Sequence, residues 1–190
     1  MRPVIKFVRN AIIASTISLA SFASTPAFAE EVYMIRGFAD VFSAGMNQMT
    51  ARLKRKGVRV SVHSNGDWRG LAVNIIKRNK AGRVSHPIII VGHSLGGVEA
   101  PQFANALAQG GVKVGLVIGL DPGFANPVPF GPGVAQVINY KIPSGHNYRK
   151  GRNFKGSIRN ISINWVDHVG IDKDPRVQAK VIRNIIAKRR

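Results

Sequence analysis

Residues 88–97 have the sequence IIIVGHSLGG, an apolar run that leads into a glycine-rich turn. Its four β-branched residues predict a buried strand, and residues 98–107 then place apolar side chains at helical spacing. Between the strand and the helix lies a Gly-x-Ser-x-Gly turn, in which Gly92 and Gly96 leave room for a side chain that is forced outward. The stretch therefore predicts that Ser94 is a nucleophile held between a strand and a helix.

Residues 1–29 have the pattern of a secretory signal peptide, with basic residues ahead of an uncharged stretch that ends in Ala-Phe-Ala. Several serines interrupt the apolar stretch, which makes it a poor membrane span. We expect cleavage after residue 29. The mature protein would then be a single domain of residues 30–190, periplasmic or secreted, without a transmembrane span.

The chain is strongly basic, with a formal net charge of +19 that falls to +16 when Arg2, Lys6 and Arg9 leave with the signal. A field of that sign attracts anionic partners, so an anionic envelope surface is a candidate partner. The sequence contains no nucleic-acid motif and few aromatic residues among its basic ones, which argues against dedicated nucleic-acid binding. It also contains no cysteine, so packing alone must stabilise the exported domain.

Apolar runs alternate with helical stripes along residues 30–190, which predicts βαβ units around a parallel sheet. The expected strands are residues 32–35, 58–62, 88–91, 114–119, 135–140 and 158–165. A final helix should begin at Asp174 and Pro175, a pairing typical of a helix N-terminus. The prediction is a three-layer α/β domain, with helices on both faces of a mostly parallel sheet of about six strands.

A serine nucleophile needs a histidine to accept its proton, and the chain contains five histidines. Functional groups of a parallel sheet collect beyond the carboxyl ends of its strands. His168 follows the sixth predicted strand at that edge and is the preferred base. His146, in a basic loop after the fifth strand, is the runner-up, and His63 ends the second strand. His86 precedes the nucleophile strand, at the opposite end of the sheet, and is expected to be structural.

The base needs a carboxylate to orient it, and none of the nine acidic residues lies between Asp121 and Asp167. Asp121 ends the fourth predicted strand, and Pro122 stops that strand at the carboxyl edge. We prefer Asp121 as the acid, with an Asx-type turn before Pro122 as the alternative. Asp167 is less suited to be the acid, because it is adjacent to His168 in sequence and its side chain would have to fold back on that neighbour. The other candidates are expected at the rim or surface, or as a cap near the last helix: Asp40, Asp67 and Asp172.

Two N–H groups are expected to hold the oxyanion. Leu95 supplies the first, because it begins the helix after the nucleophile. The second should come from the loop after the first strand, where Gly37 allows close approach of the backbone and Phe38, or alternatively Ala39, offers its N–H. A plain turn at this point is the other interpretation. The side chain of His93 should point away from the nucleophile and pack or hydrogen-bond beneath the turn.

Residues 122–133 form a stiff Pro/Gly loop that is too short to be a helical cap. The site should therefore be open. Phe124 and Phe130 in this loop could form an acyl-binding rim. A surface loop that buries these two phenylalanines is an equally consistent interpretation.

Three motifs together, GHSLGG at residues 92–97, GLDP at 119–122 and DHV at 167–169, resemble the α/β-hydrolase superfamily, in particular its lipase- and thioesterase-like serine hydrolases. The resemblance covers essentially residues 30–190 in the order Ser94, Asp121, His168. The acid follows the first strand after the nucleophile, as in some lipases, whereas most members place it after the second.

The resemblance implies a serine esterase that cleaves carboxylic ester or thioester bonds through an acyl-enzyme. It implies a minimal cap or none, no metal or organic cofactor, and a small-molecule or lipid-like acyl ester as substrate. Two alternatives stay open: an acyltransferase with the same triad, and a non-catalytic basic protein that binds anionic envelope polymers on a hydrolase scaffold.

Overall fold

The computed structural model describes residues 31–38 and 43–189. The signal-peptide prediction for residues 1–29, Ala39 and Asp40 lie outside the described residues. Six strands form one sheet in which every neighbouring pair is parallel. They are β1 (Glu31–Ile35), β2 (Arg59–His63), β3 (Ile88–His93), β4 (Val114–Leu120), β5 (Gln136–Lys141) and β6 (Ser157–Ser162), and their spatial order is β2-β1-β3-β4-β5-β6.

Four helices cover the two faces of this sheet: α1 (Ala44–Arg55), α2 (Trp68–Lys80), α3 (Leu95–Gln109) and α4 (Pro175–Ile186). The apolar stripes of α1 and α4 pack on one face, and those of α2 and α3 on the other. The predicted three-layer α/β fold is therefore confirmed. Across the described residues, none of the helices is both long and apolar enough to cross a membrane.

The first and last helices are joined by polar contacts as well as by packing. Gln178 of α4 donates from its side-chain amide to the Gln48 oxygen at 2.8 Å and accepts from Arg52 at 3.0 Å. The start of α4 follows from its sequence, because Asp174 accepts hydrogen bonds from the N–H groups of Arg176 and Val177. Burying α4 against α1 in this way fixes the chain segment that leads into it.

The edge strand β6 is shorter than its apolar pattern predicts. It ends at Ser162, because its partner β5 ends at Lys141 and the two residues are paired. A last backbone hydrogen bond joins the Ile163 N–H to the Lys141 carbonyl at 2.7 Å. The chain beyond it is thus free to turn over the carboxyl edge of the sheet.

The crevice at the carboxyl edge lies between β1 and β3, which are neighbours in the sheet. The helix after β1 packs on one face and the helix after β3 on the other, so the two connections diverge there. Such a switch point is where open α/β sheets place their ligands. Here it sets the segment after β1 opposite the turn after β3.

No helix joins β4, β5 and β6 in the described chain; residues 121–135 and 142–156 cross the α3 face as extended loops instead. Phe130 lies where a connecting helix would pack. It is 0% exposed, its ring meets Tyr148 edge-on at 5.1 Å between centroids, and its N–H donates to Arg149. The rim prediction is therefore wrong for Phe130, because the loop must pass over the sheet to reach the start of β5 and its middle becomes core.

Candidate active site

The turn between β3 and α3 has the geometry that a nucleophile needs. Ser94 adopts φ 54° and ψ −120°, a backbone conformation rare outside glycine. A Cβ added to Gly92 would lie 2.2 Å from the Gly96 carbonyl oxygen, and one added to Gly96 would lie 2.3 Å from the Ile35 carbonyl oxygen. Both glycines are thus required for the turn to close against β1.

Three predicted side chains meet at the carboxyl edge. The Ser94 hydroxyl lies 2.8 Å from Nε2 of His168, and Nδ1 of His168 lies 2.6 Å from Oδ2 of Asp121. Since an ionised carboxylate only accepts, Nδ1 carries the proton and Nε2 faces the serine with its lone pair. The arrangement can move a proton from the hydroxyl to the imidazole while the carboxylate stabilises the resulting charge.

Asp121 is held in place by its surroundings as well as by His168. Its own φ is +46°, its N–H donates to the Tyr140 carbonyl at 2.7 Å, and its Oδ1 accepts from the Ile142 N–H at 3.1 Å. A Cβ on Gly145 would lie 2.0 Å from that Oδ1. The carboxylate is bound across to the next loop, which differs from the Asx-type turn considered as its alternative.

The electrostatics of the base follow from this contact. The hydrogen bond to Asp121 raises the pKa of His168 above its ordinary value, and the negative charges of Asp121, Asp167 and Asp172 act in the same direction. Burial opposes the rise. The protonated imidazole is thus stabilised, as a base requires at the moment it accepts the serine proton.

The segment after β1 approaches the serine very closely. A Cβ on Gly37 would lie 2.8 Å from Cβ of Ser94. The Gly37 N–H is already used, because it donates to Oγ of Ser43 at 2.9 Å, and Phe38 has the next N–H along the chain. On the other side of the serine, Leu95 begins α3 and its N–H has no preceding turn to bind. These two N–H groups remain the predicted oxyanion donors.

Two aromatic side chains are exposed at the edge of the site. Phe124 is 78% exposed, and its ring lies edge-on to the His168 imidazole with 6.2 Å between centroids. Phe38, next to the glycine that touches the serine, is 64% exposed. Phe124 and Phe38 thus present exposed rings beside the site. The acyl-binding role of Phe124 stays a prediction, and the sequence interpretation did not use the Phe38 side chain.

The other histidines with candidate roles lie away from the triad. His63 bonds its neighbour Ser61 through Nε2 at 2.8 Å and stacks on Tyr33. His146 offers its backbone carbonyl to Asn139. His86, expected to be structural, lies 3.3 Å from the Asn79 side chain through Nε2. Neither alternative base reaches the serine.

The remaining candidate carboxylates lie in other settings. Asp167 accepts from the Gly170 N–H at 2.6 Å, and Asp67 accepts from the Ser64 N–H at 3.0 Å. Asp172, expected as a cap near the last helix, is fully buried instead, and Asp174 caps α4. Within residues 31–38 and 43–189, no three metal-ligating side chains cluster.

Sequence reasoning missed several residues that position the site. Ser43 binds the segment after β1, and Ile142 holds the acid. Gly123 also belongs here, because an added Cβ would lie 2.7 Å from Cε1 of His168. A glycine directly after the Asp-Pro pair is a signal that could have found the last of these, since it marks a close approach at the carboxyl edge.

Comparison with known proteins supports the fold. No family model matches this sequence, and no curated protein matches it. Among solved structures, the thioesterase domain of NocB from the nocardicin cluster is similar with a TM-score of 0.50 and 12% identity, over 84% of this chain and 94% of that one.

Two further structures are similar at lower scores. RedJ, with a polyethylene glycol molecule in its active site, has a TM-score of 0.48 and 14% identity over 93% of this chain and 98% of its own. A protein of Xanthomonas campestris pv. campestris assigned to the alpha/beta superfamily of hydrolases has a TM-score of 0.46 and 14% identity, over 81% of this chain and 98% of its own. The all-parallel six-stranded sheet between two helical layers, together with the likeness to the NocB domain, gives the chain an α/β-hydrolase-like fold.

Proposed function

We propose that this protein is an exported serine hydrolase that cleaves carboxylic ester or thioester bonds through an acyl-enzyme. The observation that carries the proposal is the hydrogen-bonded series Ser94, His168, Asp121 at the carboxyl edge of the sheet. The strained conformation of the serine supports it, because such strain is kept where the function of the turn requires it.

The geometry suits a two-step acyl transfer. Oγ of Ser94 attacks the substrate carbonyl carbon while Nε2 of His168 takes the hydroxyl proton, and Asp121 stabilises the imidazolium. The N–H groups of Leu95 and Phe38 hold the oxyanion, each contributing about 3 kcal/mol to the barrier reduction. The intermediate then expels the alcohol or thiol, which receives the proton from His168.

The second step reverses the roles. His168 removes a proton from water, the resulting hydroxide attacks the acyl carbon, and the second tetrahedral intermediate collapses to a carboxylic acid. Ser94 regains its proton from His168 in that collapse. The same site would act as an acyltransferase if an alcohol took the place of water, so product analysis with added alcohols separates these two reactions.

The rim supports an apolar acyl group. Phe38 and Phe124 present exposed rings on segments that touch Ser94 and His168, which favours a small-molecule or lipid-like acyl ester. The net charge of +16 that remains without the signal residues supports attraction to an anionic envelope surface on which such a substrate could lie. With the signal pattern of residues 1–29, this favours a periplasmic or secreted location.

The test uses p-nitrophenyl acyl esters and a fluorophosphonate probe. Ser94→Ala should lower kcat by a factor on the order of 10⁴ or more and abolish labelling, whereas the exposed Ser162→Ala should change neither. Wild-type turnover retained by Ser94→Ala would refute the proposal. No labelling of the wild type, together with tight and salt-sensitive binding to an anionic polymer, would favour the non-catalytic basic protein instead.

A further inference from the structure

A chain of hydrogen bonds runs beneath the nucleophile turn and reaches both segments that Ser94 needs. The Gly37 N–H donates to Oγ of Ser43 at 2.9 Å, and that Oγ lies 2.9 Å from Nδ1 of His93. Nε2 of His93 lies 3.1 Å from the backbone carbonyl oxygen of His168. One imidazole thus connects the oxyanion segment to the main chain of the base.

With a neutral His93 ring, the direction of every bond in this chain follows. A carbonyl only accepts, so Nε2 of His93 carries the proton and Nδ1 accepts from the Ser43 hydroxyl. The hydroxyl oxygen then accepts the Gly37 N–H. This pattern requires a neutral ring. Burial lowers the pKa of His93, which is 1% exposed, and so keeps the ring neutral.

The loop that carries His168 has a second anchor farther along. Asp172 is fully buried against α1, where a Cβ on Gly45 would lie 2.0 Å from the Asp172 carbonyl oxygen. Gln178 donates to that same carbonyl at 3.0 Å. Packing therefore fixes the far end of residues 167–174, while His93 holds the end at which the base stands.

We propose that His93 is a positioning residue, which fixes the oxyanion segment and the base relative to each other by holding both from one rigid ring. The inference rests on the proposed function. The hydrogen bond of the Ser94 hydroxyl goes to His168 and not to His93. His93 acts through the main chain of His168, whose ring it also meets with 5.5 Å between centroids, and by way of Ser43 through Gly37.

The two ends must be in place at the same moment, because the oxyanion forms as the base takes the proton. A displacement of about 1 Å in such a site costs roughly 100-fold in rate. The two nitrogens of the rigid His93 ring point in different directions, one to Ser43 and one to the His168 carbonyl. An amide side chain in place of His93 can therefore bind only one of these two partners. We expect the loss of His93 to lower kcat and to leave KM nearly unchanged.

Two amide variants separate the two ends. His93→Asn keeps a polar atom near the Nδ1 position and loses the donor to His168, whereas His93→Gln keeps that donor and loses the acceptor for Ser43. We expect His93→Asn to lower kcat 10- to 100-fold. His93→Gln and Ser43→Ala should each cause a smaller loss, and their combination should cost little more than either alone, because both break the same bond.

The matched control is Tyr33→Phe, which removes the buried hydrogen bond from the Tyr33 hydroxyl to Glu31 and the one that this hydroxyl accepts from Arg78, at the opposite end of the sheet. It should lower Tm and leave kcat unchanged. Equal losses of Tm in His93→Asn and Tyr33→Phe with wild-type kcat in both would overturn the proposal. If His93→Asn does not fold, Ser43→Ala decides instead: an unchanged kcat in that variant overturns the proposal.

A second readout does not depend on turnover. The Nδ1 proton of His168, in its 2.6 Å bond to Asp121, should give a low-field proton NMR resonance. His93→Asn should shift or broaden it, and Tyr33→Phe should not. If the wild type shows neither esterase activity nor probe labelling, but His93→Asn still shifts the resonance, the proposed function is refuted and the positioning of His168 by His93 stays supported. If the wild type is active, but His93→Asn neither shifts the resonance nor lowers kcat, only the positioning role is refuted.

Discussion

Adding one methyl group at Gly37 tests the closest approach in the site. The new Cβ would lie 2.8 Å from Cβ of Ser94, 3.3 Å from the His93 carbonyl oxygen and 3.4 Å from Oγ of Ser94. A Cβ contact under 3.0 Å forces something to shift, and the two nearest neighbours, Cβ of Ser94 and the His93 carbonyl oxygen, cannot rotate away. Either the segment after β1 or the nucleophile turn must move in Gly37→Ala.

The size of the movement sets the expected effect. Relieving the contact takes a shift of about 0.7 Å, since carbon atoms pack at about 3.5 Å or more. That shift carries the Phe38 N–H away from the oxyanion, and the loss of one such donor costs about 3 kcal/mol, or roughly 100-fold in kcat. Overpacking should cost about 1–3 kcal/mol in the free energy of unfolding.

The assay compares kcat for a p-nitrophenyl ester with urea unfolding of the same protein. Gly70→Ala is the matched control, because the added Cβ meets nothing within 4 Å on helix α2. It should leave kcat unchanged and stabilise the fold by roughly 0.5–1 kcal/mol, as alanine does in a helix. A folded Gly37→Ala protein with wild-type kcat would show that this segment does not supply an oxyanion donor.

Two more predictions concern the base and the phenylalanines. Asp121 raises the pKa of His168 above 6.5, so an NMR titration of His168 should give a raised midpoint that falls in Asp121→Asn; an unchanged midpoint in that variant would contradict this. The stability that the pair contributes is fully present below pH 6.5 and is lost as pH rises through the raised pKa, which urea unfolding at several pH values would show. Phe130→Ala should lower the free energy of unfolding by about 3–5 kcal/mol. Phe124→Ala should leave the free energy of unfolding unchanged and raise KM for long acyl esters. A raised KM in Phe130→Ala and a loss of stability in Phe124→Ala would show that the roles of the two phenylalanines are the other way round.

The part of the fold that is local in sequence could be predicted. Helices cover both faces of the inner strands, so the sequences of β3 and β4 are continuous apolar runs. The N-cap of the last helix can be recognised because Asp174 and Pro175 are adjacent in sequence. The order of nucleophile, acid and base also follows from strand ends, since parallel strands bring their carboxyl ends to one edge. The structure then places Ser94 and His168 within hydrogen-bond distance.

The rest depends on paths through space. Phe130 and Phe124 stand in one Pro/Gly loop, and only its course over the α3 face makes the first core and the second rim. The end of β6 depends on where its partner stops, which an apolar pattern cannot encode. Ser43 meets His93 across fifty positions of chain, so neither residue alone indicates the contact.

The docking of α4 on α1 has a consequence for when the protein becomes competent. During synthesis the chain emerges from its amino end, so Ser94 and Asp121 are available before His168 exists. The base is then held only after β6 has joined the sheet and the last helix has met the first, and parallel pairing of this kind forms slowly. If Ser94 is the nucleophile proposed above, a partly synthesised chain holds that serine without its base, and the site is complete only when the final layer has closed.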